Sequence, residues 1–292
     1  MRVGLVARHA AGAPGPVMSA GRPEVLKLLS FNIQAGTTTA KYRQYVTRSW
    51  RQVLPNNQRV ANLDAISDLV ADFDIVGLQE VDCGSLRSGF VNQAKYLATH
   101  AGFPWWTHQP NRKIGVIAHA GNGVLSRPTP ERVDEHRLPG AIPGRGALIV
   151  KYGRDDQALW VVVLHLALGR RARFQQLRYV AHLVAGRPNV VVMGDLNTGP
   201  DSHEIEEFCS RSGLVLPPER PRTFPSWQPQ RAIDHVLLSP ELEIVEHRVL
   251  PSQLSDHRPL ATTIRLPEGL LLERHARGHQ DQQHAEQPRK AG

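Results

Sequence analysis

The sequence predicts an α/β sandwich. Short apolar runs of strand length recur along the chain, they outnumber the amphipathic helical patterns between them, and no glycine-rich nucleotide loop follows the first strand. The stretch GAIPGRG at 140–146 matches neither the P-loop nor the dinucleotide fingerprint, which sets a Rossmann fold aside.

In chain order, strands are expected at 25–31, 75–79, 123–126, 146–150, 159–164, 190–193, 233–238 and 260–264, each a run of Val, Ile and Leu bounded by polar or turn residues. Helices are expected at 58–71, where Val60, Leu63, Ile66 and Val70 share a face, and at 170–184, with Phe174, Leu177 and Val184. A third covers 202–212, with Asp201 or Ser202 as N-cap and Gly213 as the stop. There is no internal repeat. The ordered body is expected over residues 24–266. Residues 1–23, an Ala/Gly/Pro mix in which Met18 is a second candidate start, read as a disordered extension. Residues 267–292, rich in Arg, Gln and His, read as a disordered tail whose His275, His279 and His284 are solvated surface.

The 292 residues are 41% hydrophobic, enough for a substantial core, and the net charge of +8 suits polyanions: nucleic acid, anionic lipid or phosphorylated metabolites. An Arg-skewed composition produces the same charge without such a ligand. Cys83 and Cys209 form neither a disulfide framework nor a metal-ligand spacing. No apolar run approaches the ~18 residues of a membrane span, and the first residues lack the apolar core of a signal peptide. A monomeric, cytoplasmic protein is the expectation.

Polar residues collect where apolar runs stop. LLSFNIQ (28–34) delivers Asn32, DIVGLQEVD (74–82) delivers Gln79 and Glu80, and VVVLHLALG (161–169) delivers His165. VVMGDLNTGPDS (191–202) ends in Asp195 and Asn197, whose spacing of two is what alternation along an extended strand requires to put both side chains on the same face. AIDHVLLS (232–239) opens a strand at Asp234, and LSDHRPL (254–260) sets Asp256 and His257 before the last one. Any one of these alone reads as a strand entering a polar loop. Six such segments on one edge of a sandwich would line a single cleft. Carboxylates and amide oxygens without thiolates suit a hard divalent cation such as Mg²⁺ or Mn²⁺. A His with an Asp to orient it suits proton transfer, and an Asn or second His can donate to a phosphate oxygen. Together these parts fit metal-assisted attack of water on a phosphate ester.

The ordered series resembles the endonuclease/exonuclease/phosphatase superfamily, which includes deoxyribonuclease I, exonuclease III, the neutral sphingomyelinases and the inositol polyphosphate 5-phosphatases. The likeness rests on Asn32 in the first strand, QE at 79–80, GDLN at 194–197, IDHV at 233–236 and SDHRP at 255–259, and it spans residues 25–266. It implies a four-layer sandwich of two mixed β-sheets flanked by helices, with the site at one edge of the sheets. It also implies that Glu80 is the principal metal ligand, with Asn32 beside it and Asp256 near the same ion. Asp195 would hold or deprotonate the attacking water and Asn197 would hydrogen-bond the phosphate. His257, oriented by Asp234, would contact the scissile phosphate. His165 would protonate the leaving oxygen or bind phosphate. The general base stays open between Asp195 and His257, and His235 is left outside the catalytic set.

Two features stand apart from that series. Arg145, entering a strand between two glycines, is a candidate substrate contact. The basic, aromatic-interleaved segment 41–59, with SLRSGFVNQ (85–93) and PWWTHQPNR (104–112), suits stacking on nucleic acid, a lipid rim or ordinary packing. The leading expectation is a Mg²⁺- or Mn²⁺-dependent phosphodiesterase of nuclease type, its substrate left open among nucleic acid (DNA or RNA), lipid and metabolite. The alternatives are a phosphoesterase for phospholipids or small phosphorylated metabolites, and a non-catalytic module holding a phosphorylated ligand. The absence of Lys or Arg between Asn197 and Arg211 disfavours the inositol phosphatase branch.

Overall fold

Successive side chains of the central strands point to opposite sides, and in these strands both sides are apolar. A computed structural model describes residues 2–4, 24–36, 57–114, 118–141, 143–154 and 157–274. Its elements are β1 (Arg2–Gly4), β2 (Val25–Asn32), α1 (Asn57–Val70), β3 (Ile75–Asp82), α2 (Gln93–His100), β4 (Trp105–Ile114), β5 (Ala118–Ser126), β6 (Arg132–Arg137), β7 (Gly146–Tyr152) and β8 (Leu159–His165). They continue with α3 (Arg170–Val184), β9 (Val190–Asp195), α4 (His203–Ser212), β10 (Asp234–Leu238), β11 (Glu243–Val249) and β12 (Leu260–Arg265).

One sheet has the order β11-β12-β2-β3-β5-β4 and the other β1-β6-β7-β8-β9-β10. The pairs β2/β3 and β8/β9 are parallel and all the other pairs antiparallel, so both sheets are mixed. Leu28, Val161 and Val163 face the space between the sheets. Leu29 and Phe31 pack under α1 and α2, while Val162 and Leu164 pack under α3 and α4. Three apolar interfaces thus separate four layers, which is the sandwich the sequence predicts. Full burial on both faces explains why these strands read as near-continuous apolar runs.

Two glycines allow the close approaches. A Cβ on Gly77 would lie 2.7 Å from Val163 and 2.8 Å from Met193 in the facing sheet. Gly194 has φ +151°, and a Cβ there would lie 1.9 Å from the Leu164 carbonyl oxygen of neighbouring β8.

All eight expected strands form, as do the three expected helices. Ser202 is the N-cap of α4, its hydroxyl accepting from the Ile205 amide, and Gly213 closes the helix at φ +74°. Val60 does not join the buried face of α1; it is 49% exposed because it lies about a quarter-turn off the line through Leu63, Ile66 and Val70.

The elements without a sequence signal are polar or short. β4 and β11 are sheet edges, and β6 lies beside the three-residue edge strand β1. The expected boundaries also shift. Arg2–Gly4 pairs with β6 inside the span read as a disordered extension. Residues 267–274 belong to the packed body, not to a tail: Leu270 and Leu272 are buried, and Arg274 bridges Glu24 and Asp74 across the sheet end. The rest of both terminal segments and residues 41–56 of the basic aromatic segment lie outside the described residues.

Candidate active site

The parallel pairs β2/β3 and β8/β9 end at one edge of the sandwich, where antiparallel β10 begins. Register then lines up the polar residues. His165 on β8 sits opposite Asp195 on β9, which sits opposite Asp234 on β10. Three chemically active side chains therefore occupy one row of a sheet, with neighbouring strands ~4.8 Å apart. From the other sheet, Asn32 Nδ2 donates to Asp195 Oδ2 at 3.1 Å and lies 3.5 Å from Glu80 Oε1.

Glu80 reaches this edge through a bulge. The β3/β5 register shifts between Leu78 and Val81, and Glu80 has φ +57°. Strict alternation would put Glu80 on the helix side with Leu78; the extra residue turns it toward the site instead. The His165 ring lies between its neighbours, Nδ1 4.0 Å from Glu80 and Nε2 3.4 Å from Asp195 Oδ2.

The loop before β12 supplies the last two residues. His257 Nδ1 is 2.8 Å from Asp234 Oδ2, and Nε2 is 3.8 Å from Asp195 Oδ2. Thr223 donates its hydroxyl to the same Asp234 oxygen, and the Phe224 ring packs 4.9 Å from the imidazole. Thr223 has no sequence signal, because a hydroxyl in a loop becomes meaningful only when the fold sets it on Asp234. Asp256 is 6% exposed and accepts from its neighbour Ser255.

These buried charges shift one another. Burial opposes the charged form of His257, but Asp234 and then Asp195 overcome it and raise the imidazole to about 10. Burial, opposed by His257 and reinforced by Asp234 and Glu80, lifts Asp195 to about 7. Burial, opposed by His257 and reinforced by Glu80, lifts Asp256 to about 6. Burial, then the Arg145 guanidinium and His257, hold His165 well below the ordinary histidine value, leaving it neutral. Arg145 therefore stands close enough to act on His165. His235 belongs elsewhere: it is buried, with Nε2 2.8 Å from the Thr198 carbonyl.

The reading from spacing needs one correction, at Asn197. Asp195 ends its strand, and Asn197 turns into the left-handed region at φ +53°, so the two do not alternate along one extended strand. Asp195 Oδ1 instead accepts from the Asn197 amide at 2.9 Å, and Asn197 Nδ2 donates to the Leu166 carbonyl at 3.0 Å. In the segments 85–93 and 104–112 several side chains pack into the fold, while Phe90 is exposed. Ser85 and Ser88 hydrogen-bond Asp82, and Trp105 and Trp106 pack against the two flanking apolar clusters.

The donor chemistry fits a divalent cation. Glu80, Asp256 and Asp195 are carboxylates with Asn32 among them, and two of the three are raised by burial with Glu80 adding to each. A cation would relieve that crowding. Among the described residues, the one group of three or more His, Cys, Asp and Glu side chains whose ligand atoms lie within 4.8 Å of one another is Asp195, Asp234 and His257. His257 is the imidazolium partner of Asp234 in that group, and a protonated imidazole offers no lone pair.

Two mixed sheets thus carry a buried cluster of Asp195, Asp234 and His257 at one edge, with the half-exposed Glu80 beside it. A family model described as the Endonuclease/Exonuclease/phosphatase family matches residues 29–257, and the chain belongs to that family. Its members are mostly phosphoester hydrolases that depend on divalent metals. Among solved structures, an endonuclease/exonuclease/phosphatase from Beutenbergia cavernae is similar with a TM-score of 0.61 and 22% identity, covering 84% of this chain and 72% of that one. The human Nocturnin catalytic domain, solved with a bound sulfate anion, has a TM-score of 0.60 and 17% identity over 83% of this chain and 95% of that one. Sphingomyelinase C from Streptomyces griseocarneus has a TM-score of 0.56 and 16% identity over 82% and 99%. No curated protein matches the sequence.

Proposed function

We propose that the protein is a divalent-metal-dependent hydrolase of phosphate esters, working as a phosphodiesterase by attack of water on phosphorus. The observation that carries this reading is the row His165–Asp195–Asp234 with His257 seated on Asp234. It sets a proton-accepting carboxylate beside a fixed imidazolium.

Asp195, raised to about 7, is suited to take a proton from water near neutral pH, and its oxygens are oriented by Asn32 and the Asn197 amide. His257 carries its charge at neutral pH and is oriented through Nδ1, which leaves Nε2 to donate to a phosphate oxygen as negative charge builds there. His165 is neutral, so it serves as a hydrogen-bond donor to the phosphate or leaving oxygen and not as a cationic acid. Asn197 keeps a second amide hydrogen for the phosphate, and Arg145 adds positive charge next to His165. Asn32, Glu80 and Asp256 are the residues that would hold Mg²⁺ or Mn²⁺. Such an ion, when bound, stabilises charge on the phosphoryl oxygens.

The net charge of +8 supports a polyanionic substrate, DNA or RNA. The fold shared with sphingomyelinase C keeps a phospholipid as the second reading. The test is purified protein with Mg²⁺ or Mn²⁺ against plasmid DNA, RNA, phospholipid vesicles, inositol phosphates and bis-p-nitrophenyl phosphate, with Glu80→Ala alongside. Metal-dependent turnover lost in Glu80→Ala is the expected result. No turnover with any divalent ion on the whole panel would turn the reading to a ligand-holding module.

A further inference from the structure

Behind the site, two buried glutamines on opposite sides of the sandwich make the same pair of contacts. Gln93, at the start of α2 and 0% exposed, accepts from the Asp82 amide at 2.7 Å and donates to the Ala35 carbonyl at 2.8 Å. Gln176, in α3 and 1% exposed, accepts from the Ala167 amide at 2.9 Å and donates to the Pro139 carbonyl at 3.0 Å. In each case the accepted amide lies two residues beyond a site residue, Glu80 in one half and His165 in the other.

The donated bond ties in a second loop. Ala35 follows Asn32, while Pro139 belongs to the loop that carries Arg145, held at its base by the Leu138 amide on the Arg145 carbonyl at 3.0 Å. Asn62 of α1 extends the first clamp. It donates to the Gly36 carbonyl at 3.1 Å and to the Leu254 carbonyl at 2.8 Å, two residues before Asp256. The clamped turn is otherwise unfavourable, since Gln34 and Ala35, neither a glycine, are left-handed at φ 45° and 52°. A carboxamide suits this task because it offers a donor and an acceptor at once and adds no charge beside the crowded carboxylates.

We propose that these amides are positioning residues that set two separable halves of the site. Gln93 and Asn62 hold the loops carrying Asn32, Glu80 and Asp256, the cation-binding half. Gln176 holds the loops carrying His165 and Arg145, the phosphate half. The inference rests on the residue roles proposed above.

The test uses the full-length protein as wild type, Gln93→Leu and Gln176→Leu. Mn²⁺ binding is titrated without substrate by the electron paramagnetic resonance signal of free Mn²⁺. Thermal unfolding is recorded without metal, and kcat and KM are measured on bis-p-nitrophenyl phosphate at saturating Mn²⁺. Gln93→Leu is expected to weaken Mn²⁺ binding about tenfold, while Gln176→Leu leaves it within about twofold. Gln176→Leu is expected to lower kcat/KM about tenfold at saturating Mn²⁺. Both lose similar thermal stability, so each controls for the packing defect in the other.

Equal effects of the two variants on Mn²⁺ binding, or none, overturn the proposal while the proposed function stands. A wild type that binds no Mn²⁺ overturns the assignment of the cation-binding half and this inference with it. If Gln93→Leu does not fold, Gln93→Met replaces it, keeping the length and burial of the side chain without charge and losing both bonds. Wild-type Mn²⁺ affinity in that variant overturns the proposal.

Discussion

His257 is bound through Nδ1 to Asp234, 2.8 Å from Oδ2, and both side chains are buried at the sheet edge. The folded value of the imidazole, about 10, lies above its ordinary 6.5. The pair therefore stabilises the protein fully below about pH 6.5 and loses that contribution as pH rises through about 10. Urea midpoints of metal-free wild type and Asp234→Asn should differ most at pH 6 and converge by pH 10. At pH 7.5 the same variant should lose about a hundredfold in kcat, because the imidazolium that faces the phosphate is no longer oriented.

Asp256 and Asp195 are raised to about 6 and about 7, so protons compete with a cation for this site on the acid side of neutrality. Calorimetric titration should give Mn²⁺ binding at least about tenfold tighter at pH 8 than at pH 5.5. The rise in melting temperature with Mn²⁺ should follow the same pH dependence, vanish with a chelator and be strongly reduced in Glu80→Gln.

At Gly194 a side chain has no room. Its Cβ would lie 1.9 Å from the Leu164 carbonyl, and φ +151° is a conformation that only glycine adopts freely. Gly194→Ala should cost at least about 3 kcal/mol in urea unfolding, because β9 must shift away from β8. That shift would also move Asp195 off His165, so any folded protein should have reduced activity.

Asn197 separates backbone from chemistry. Its φ of +53° is readily adopted by glycine, so Asn197→Gly removes the carboxamide while keeping the turn that feeds an amide to Asp195. Its melting temperature should stay close to wild type, the lost bond to Leu166 being worth about 1 kcal/mol. The kcat on bis-p-nitrophenyl phosphate should fall about tenfold or more if the carboxamide holds the phosphate.

The central strands and three long helices were legible in the sequence because each buries enough apolar surface to force a pattern. β9 is buried along its whole length, and α3 carries Leu177, Val180 and Val184 on one side. The edge strands β4 and β11 were not legible. β11 faces solvent over much of its length and can be polar, as Glu-Ile-Val-Glu-His-Arg-Val is at Glu243–Val249, while β4 is half-buried from Trp105 to His108 and shows no clean alternation. The eight-residue α2 is too short for its periodicity to stand out. The candidate site residues were legible as residue types at strand ends, since carboxylates, amides and histidines at six such places have a chemistry of their own.

The sequence by itself determined the layered α/β architecture, through apolar runs that must be buried on both faces, and the candidate chemical groups, through their types and order. Only the tertiary structure decided how those groups meet. The β8-β9-β10 register sets His165, Asp195 and Asp234 side by side, and a bulge turns Glu80 toward them. Gln93 reaches Ala35, Asn62 reaches Leu254 and Gln176 reaches Pro139 from far along the chain, while Thr223 on Asp234, Gln93 on Asp82 and Gln176 on Ala167 join residues 11, 11 and 9 positions apart. Such directional contacts leave no periodic trace in a sequence, because they depend on one atom meeting another and not on how much surface is buried.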